Sequence, residues 1–141
     1  MKRKNYIKKY IYSRDEGKCH FCGKKLLFKQ MSVDHYLPKS KGGPNDIFNL
    51  VLSCKKCNKI KKSYVPEDYT EVILALLKKA VQDEKITLGT VKIKKEDLNF
   101  LIQEVERIED IGEFTVFQSK SYRFYIKHNK IYKVVYVDSS S

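Results

Sequence analysis

The sequence predicts an α+β protein whose small, cysteine-bearing first half is followed by a helix-then-strand second half. Two observations favour this fold class. Two Cys-x-x-Cys pairs, separated by 31 residues, lie in the first half among short apolar segments and turn residues. In the second half, the hydrophobic period changes from that of helices to that of strands. We therefore expect two domains, at residues 1–64 and residues 65–141.

Residues 1–64 predict a helix, a hairpin, a long loop and a second helix, in that order. The helices cover about residues 4–14 and 55–62, and the hairpin covers residues 26–34. Pro38, Gly42 and Gly43 indicate a loop, because they suit neither a helix nor a central strand. The second strand of this hairpin would then carry Asp34 and His35 to the edge of the loop.

Residues 65–141 predict two amphipathic helices followed by antiparallel strands. Pro66 and the two acids after it suit a helix start, and apolar residues then recur at helical spacing through Ala80. The second helix covers residues 98–108 and is closed by Gly112. Residues 87–94 are a loop or a short strand. Aromatic and β-branched residues predict strands at 114–117, 122–127 and 131–137, with a hairpin turn at 128–130. We expect a small hairpin or meander here.

The four cysteines predict a structural zinc site. Each Cys-x-x-Cys turn directs two sulfurs to one point, and two such turns complete a tetrahedron. The ligands are Cys19, Cys22, Cys54 and Cys57. Four sulfurs leave no position for water, so this metal would hold the fold and do no chemistry. A dithiol redox role is the alternative, but neither pair lies in a βαβ pattern. We expect His20, inside the first pair, to be an exposed spacer.

The charge of the chain predicts an anionic partner for the first half. Residues 1–64 hold 17 lysines and arginines against 4 acids, a net charge of +13. Residues 65–141 hold 12 against 13, a net charge of −1. Nucleic acid is the simplest partner for so basic a segment. The near-neutral second half is better suited to docking a protein than to binding nucleic acid.

Membrane association is not expected. No apolar run approaches the ~20 residues that cross a bilayer. The basic N-terminus lacks the apolar core of a signal peptide. We expect a cytoplasmic protein, in which thiols stay reduced and paired cysteines bind metal.

Residues 14–62 resemble the HNH endonuclease family. The resemblance rests on the pattern Asp34-His35-x-x-Pro38, Gly42-Gly43, Asn49-Leu50-Val51 and Cys54-x-x-Cys57-Asn58-x-x-Lys61. It implies a ββα-metal fold, in which the hairpin carries the histidine and the helix carries the last ligand of a catalytic cation. It also implies a nuclease that hydrolyses DNA phosphodiester bonds.

The resemblance assigns roles to four residues. His35 would be the general base, since an imidazole titrates near neutral pH. Asn49 would orient that histidine, and Asp34 and Asn58 would bind the catalytic cation. Many family members have histidine where this chain has Asn58. An Asp–Asn pair offers only oxygen ligands, which favours Mg²⁺ or Mn²⁺.

Seven lysines surround this predicted site, and we expect them to contact the nucleic-acid backbone. They are Lys39, Lys41, Lys55, Lys56, Lys59, Lys61 and Lys62. The expected substrate is double-stranded DNA, with RNA as an open alternative. Two other functions stay open: a non-catalytic, zinc-stabilised nucleic-acid-binding module, and a nuclease subunit targeted by a partner protein. A partner protein, or a second copy of the chain in a homodimer, would dock on residues 65–141.

Overall fold

The computed structural model describes residues 3–137, which group into two compact units. The first unit comprises Met1–Gly43 and Asn49–Pro66, and the second comprises Pro44–Phe48 and Glu67–Ser141. The predicted α+β class is confirmed. The domains proposed at residues 1–64 and 65–141 stay a prediction, and the units differ from them by placing Pro44–Phe48 in the second unit. No helix within residues 3–137 is long and apolar enough to span a bilayer.

The first unit is a two-stranded antiparallel sheet packed by two helices. Its elements are α1 (Arg3–Arg14), β1 (Met31–His35), β2 (Leu50–Cys54) and α2 (Lys55–Lys61). In the β1–β2 pair, His35 lies opposite Leu50 and Met31 lies opposite Cys54. Every residue of β2 is buried, because β1 and both helices pack against it. The two strands and α2 form the expected ββα arrangement.

The strand pairing differs from the hairpin predicted at residues 26–34. Phe28–Gln30 is a short 3-10 turn, and β1 instead pairs with β2 across the long loop. Leu27 and Phe28 are 58% and 40% exposed, whereas β2 is buried throughout and is apolar except for Ser53. The order is therefore strand, loop, strand, helix. Asp34 and His35 still lie at the end of a strand, as predicted.

The end of α1 is tied to the free edge of β2. The Arg14 guanidinium donates to the Asp15 carboxylate at 2.8 Å and to the Leu50 carbonyl at 2.6 Å. Asp15 Oδ2 accepts the backbone N–H of Leu52 at 2.9 Å. These hydrogen bonds satisfy the backbone carbonyl of Leu50 and the backbone N–H of Leu52. Within the described residues, no strand pairs with β2 on the side opposite β1. They fix β2 and therefore the start of α2.

The second unit is a five-stranded sheet with two helices. Its elements are α3 (Tyr69–Gln82), β3 (Thr87–Leu88), α4 (Lys95–Gln103), β4 (Arg107–Ile111), β5 (Thr115–Gln118), β6 (Tyr122–Lys127) and β7 (Lys130–Tyr136). The strand order is β3-β7-β6-β5-β4. β5, β6 and β7 form the predicted antiparallel meander, and β4 adds an antiparallel strand that was not predicted. β3 adds in parallel to β7. The helices α3 and α4 pack on each other, and Ile73, Phe117 and Phe124 are fully buried.

Two local predictions in this unit have different outcomes. The helix predicted at residues 98–108 is too long, since α4 ends at Gln103 and Ile108 lies in β4 opposite Phe117. After α4, the buried Val105 lies between Glu104 and Glu106, and the chain continues as a strand. The predicted hairpin turn is confirmed: His128 and Asn129 have φ values of 51° and 60°. A two-residue turn between antiparallel strands needs such left-handed residues.

The same turn holds the segment Pro44–Phe48. The Asp46 carboxylate accepts the backbone N–H of Asn129 at 2.8 Å, and the side-chain oxygen of Asn129 accepts the backbone N–H of Ile47 at 2.7 Å. Asp46 is buried. Burial raises the pKa of its carboxyl above the ordinary value, although the hydrogen bond from Asn129 acts to lower it. These contacts explain why the segment groups with the second unit.

Candidate metal-binding and catalytic site

The four cysteines form one cluster in the first unit. The sulfurs of Cys19, Cys22, Cys54 and Cys57 all lie within 4.8 Å of one another. The sulfurs of Cys22 and Cys54 are 3.9 Å apart. Four thiols at this separation can ligate a single ion in tetrahedral geometry. The predicted cysteine metal site is therefore confirmed as an arrangement of ligands.

Local backbone structure brings each cysteine pair to this point. In the first pair, the N–H of Gly23 donates to the Cys19 carbonyl at 2.9 Å, and Gly23 has a φ of 76° that favours glycine. In the second pair, Cys54 ends β2 and caps α2, with its sulfur accepting the backbone N–H of Cys57 at 3.4 Å. The first cysteine pair therefore lies in a turn closed by Gly23, and the second lies where β2 ends and α2 begins.

The thiols have unequal proton affinities. Burial acts to raise the pKa of Cys19, but hydrogen bonds from the backbone of Cys22, Cys54 and Phe21 outweigh it and lower the pKa to about 6. The hydrogen bond with the Cys54 sulfur, and then desolvation, raise the pKa of Cys57 to about 12. A bound cation deprotonates the thiols that coordinate it. All four sulfurs therefore become equivalent ligands only with a metal.

His20 lies outside the sulfur cluster within the described residues, as expected. It is exposed, and its ring packs edge to face on Tyr36 with the ring centres 5.0 Å apart. Its backbone N–H donates to the Leu52 carbonyl at 2.8 Å. The residue is part of an aromatic surface and not of the metal ligand set.

Asp34 places a buried carboxylate oxygen near the end of β1. Its Oδ2 is buried and has no hydrogen-bond partner among the residues that the structure describes. The ammonium of Lys61 lies 3.5 Å away. Burial raises the pKa of Asp34, although the charge of Lys61 acts to lower it. Carboxylate oxygens are ligands that hard divalent cations prefer, and the role of Asp34 as a cation ligand stays a prediction.

Lys61, one of the seven lysines predicted to surround the site, is buried within the first unit. The residue is only 7% exposed, and its Nζ donates to the His35 carbonyl at 3.0 Å. The inward position follows from α2, which packs against both strands of the sheet. Lys61 therefore acts on Asp34 and on the His35 backbone from within the unit. Its spacing of three residues from Asn58 was the sequence signal for this shared helix face.

The other six lysines of the predicted surround are exposed. They are Lys39, Lys41, Lys55, Lys56, Lys59 and Lys62. Two lie in the turn that follows Pro38, and four lie on or just after α2. Phosphate contacts by these side chains stay a prediction.

Asn49 holds the chain that leaves His35. Its side chain is fully buried and spans the backbone of Leu37. The Leu37 N–H donates to Asn49 Oδ1 at 2.9 Å, and Asn49 Nδ2 donates to the Leu37 carbonyl at 3.0 Å. Leu37 lies two residues after the half-buried His35, the last residue of β1. The hydrogen bonds to Asn49 therefore fix the course of the backbone directly after β1.

Gly43 shapes the same turn from the other side. A Cβ on this residue would lie 1.8 Å from the Leu37 carbonyl oxygen, so no side chain fits. The Gly43 N–H donates to the Pro38 carbonyl at 3.0 Å, and Gly42 adopts a φ of 87°. The glycine pair therefore lets the loop fold back onto the chain beyond His35.

Asn58 lies on α2, one residue after the cluster ligand Cys57. Its side chain is half-buried, and the helix that carries it packs against β1. The sulfur cluster fixes the start of this helix through Cys54 and Cys57. It thereby sets the position from which Asn58 extends.

Sequence comparison agrees with this geometry. Residues 19–73 match the family model described as HNH endonuclease. No curated protein matches the chain. The matched segment contains both cysteine pairs and the Asp34, His35, Asn49 and Asn58 positions. The match indicates a nuclease-type domain. Over residues 19–73, the chain is therefore similar to the HNH endonuclease family.

Proposed function

We propose that this protein is a divalent-metal-dependent endonuclease that hydrolyses DNA phosphodiester bonds. The observation that supports it most is the buried Asp34 Oδ2, which has no hydrogen-bond partner within the described residues. It lies on the strand that ends at His35, in a segment that is similar to a nuclease family. A cation ligand and a proton acceptor are thus adjacent in the chain.

We assign structural zinc to the cysteine cluster. Thiolates select zinc among the common divalent ions, and four of them complete its tetrahedral shell. Because no position then remains for water, this ion stabilises the first unit and takes no part in hydrolysis.

We assign Mg²⁺ or Mn²⁺ to Asp34 and Asn58. Carboxylate and amide oxygens are the ligands that these hard cations prefer. When bound, such a cation supplies positive charge to the scissile phosphate and to the 3′ leaving oxygen. Asp34 Oδ2 supports this role because it is buried and has no hydrogen-bond partner within the described residues, and the Lys61 ammonium 3.5 Å away balances its charge.

His35 is the proposed general base. Its imidazole accepts the proton of the attacking water, which a neutral histidine can do near physiological pH. The bonds from Asn49 to Leu37 hold the backbone beyond His35, so Asn49 is the proposed positioning residue. The bond from Lys61 to the His35 carbonyl restrains the same residue from α2.

The six exposed lysines are the proposed backbone contacts. Their charge belongs to a segment with 17 basic and 4 acidic residues, and phosphate contacts of this kind read no sequence. Double-stranded DNA is the proposed substrate. A cytoplasmic location, and a role of residues 65–141 in homodimer formation or in docking a partner protein, stay predictions.

Plasmid nicking tests this proposal. The purified full chain is incubated with supercoiled plasmid and Mg²⁺ or Mn²⁺, and nicked circles are followed on a gel. We expect His35→Ala to lower the rate by about 10²- to 10⁴-fold, the usual contribution of a general base. His128→Ala, which changes an exposed histidine in the second unit, is the matched control and should cut at the native rate.

Two results would reject parts of the proposal. Equal rates for His35→Ala and the native chain would remove His35 as the base. If plasmid, single-stranded DNA and RNA are bound but never cut, the non-catalytic nucleic-acid-binding module becomes the better description.

A further inference from the structure

An open cavity of about 420 Å³ lies in the first unit beside Lys61. Phe21, Tyr36, Ile60 and Tyr64 are among the residues that line it. Ile60 is 73% exposed and Tyr64 is 62% exposed. Large apolar side chains left exposed together around a concavity mark a binding surface.

One wall of this cavity is an ordered aromatic stack. The rings of Phe21 and Tyr36 are nearly parallel, with centres 5.8 Å apart and an angle of 11° between planes. Tyr36 is buried, and His20 packs edge to face against both rings. Phe21 is therefore held in place before any ligand arrives.

The cavity lies close to the proposed catalytic centre. Lys61 Nζ is 3.5 Å from Asp34 Oδ2 and 5.9 Å from the centre of the Phe21 ring. The carboxylate and the ring are thus less than about 10 Å apart, or about three base steps of 3.4 Å along one strand. A nucleotide within about three positions of a phosphate at Asp34 can reach this wall.

We propose that the cavity receives an unstacked nucleobase of the substrate strand. Every base has flat faces that stack on aromatic rings, whatever its sequence. Lys59 and Lys62, both exposed, flank Ile60 and Lys61 along the chain and suit the phosphates on either side of that base.

This inference rests on the proposed nuclease function and specifies its substrate. Lifting a base out of an intact duplex costs free energy, and the cost is smallest where the base is already mispaired or single-stranded. The preferred substrate is therefore DNA with an unpaired segment, and perfect duplex is bound more weakly.

Fluorescence anisotropy of labelled oligonucleotides tests the cavity without cleavage. All proteins in this experiment carry His35→Ala, so that none cleaves. The His35→Ala protein and its further variants are titrated with a perfect duplex and with the same duplex bearing a three-nucleotide bubble. We expect tighter binding to the bubble. Tyr64→Ala should weaken bubble binding about tenfold and duplex binding less than twofold, since one aromatic contact to a base is lost.

Two variants control this experiment. Tyr64→Phe keeps the ring and should keep the bubble preference. Tyr136→Ala removes a tyrosine of similar exposure, 69%, in the second unit, and should change neither affinity.

The outcomes separate the cavity from the nuclease activity. Equal affinity for bubble and duplex would reject base binding in the cavity, even if the protein nicks plasmid. An equal loss of affinity for both substrates in Tyr64→Ala would reject it as well. If the protein prefers the bubble through Tyr64 but cleaves no substrate, base binding in the cavity is supported and the proposed hydrolysis is rejected.

Discussion

The sulfur cluster and the Asp34 site differ in how completely the chain fills them. Four sulfurs lie within 4.8 Å of one another and leave no free position around a tetrahedral ion. Asp34 instead offers one buried oxygen without a hydrogen-bond partner in the described part of the chain. The first arrangement suits an ion that stabilises, and the second suits an ion that also binds water and phosphate.

The two sites are nevertheless joined through consecutive residues. Cys57 belongs to the sulfur cluster, and Asn58 follows it on the same helix. If the proposed zinc ion fixes the helix that carries Asn58, a proposed ligand of the second ion, then stability and chemistry depend on different ions. Substitutions at each site should therefore change different measured quantities.

Cys54→Ser should have the largest effect, on stability. Cys54 is a cluster ligand and also caps α2, so its loss removes one zinc bond and one helix cap. Structural zinc contributes about 10 kcal/mol or more to small zinc modules, so we expect the first unit to unfold. Thermal melting and bound-zinc analysis measure this effect. A variant that keeps both the native melting temperature and the native zinc content would refute a structural role for the cluster.

Lys61→Met should have the next largest effect. The side chains of Lys61 and Asp34 are 5% and 12% exposed, so removing the ammonium leaves a buried carboxylate unpaired. We expect a loss of about 3 kcal/mol in the free energy of unfolding, measured in urea. Lys62→Met, at an exposed neighbouring position, should change this free energy by less than about 0.5 kcal/mol.

Added Mg²⁺ gives a second test of the Asp34 site in the Lys61→Met protein. A cation that binds Asp34 in the folded state stabilises the Lys61→Met protein by mass action. We expect Mg²⁺ to recover part of the lost free energy of unfolding. An identical urea transition with and without Mg²⁺ would argue against a cation site at Asp34.

The two asparagines should separate positioning from ligand binding. Asn49→Ala leaves the buried N–H and carbonyl of Leu37 without these partners, so we expect a loss of about 2 kcal/mol together with slower nicking. Asn58→Ala, at a half-buried position, should slow nicking at least as much but cost less than about 1 kcal/mol. Urea unfolding and nicking rates measured on both variants test this. Equal stability losses would contradict the separation.

The smallest effect concerns the pH dependence of stability in the second unit. Burial raises the pKa of Asp46 in the folded chain above its ordinary value of 3.8. Its stabilising contribution is therefore complete below pH 3.8 and is lost as pH rises through the folded pKa. Asp46→Asn cannot ionise, so it should gain stability relative to the native chain between about pH 4 and pH 7. A constant difference across this range would contradict the raised pKa.

Local spacing explains which parts of this molecule could be predicted from sequence. Each Cys-x-x-Cys turn is determined by adjacent residues, so the sulfur cluster followed from the cysteine positions alone. Asp34 and His35 were likewise placed at a strand end because Pro38 and the glycines terminate the strand.

Non-local pairing explains what could not be predicted. Strand β1 (Met31–His35) pairs with β2 (Leu50–Cys54), which is fully buried but distant along the chain. Lys61 faces inward because α2 packs on the sheet, a fact that composition does not encode. The bonds between Asp46 and Asn129 join residues far apart in sequence, and no motif announces them.

Chelation of the native chain tests most directly whether the two sites hold different ions for different purposes. The protein is treated briefly with EDTA, and nicking rate, melting temperature and zinc content are measured on the same sample. We predict that nicking stops while zinc and melting temperature stay unchanged, and that Mg²⁺ or Mn²⁺ restores nicking. Nicking that continues without added cation, or that returns with zinc alone, would contradict the separation of the two sites.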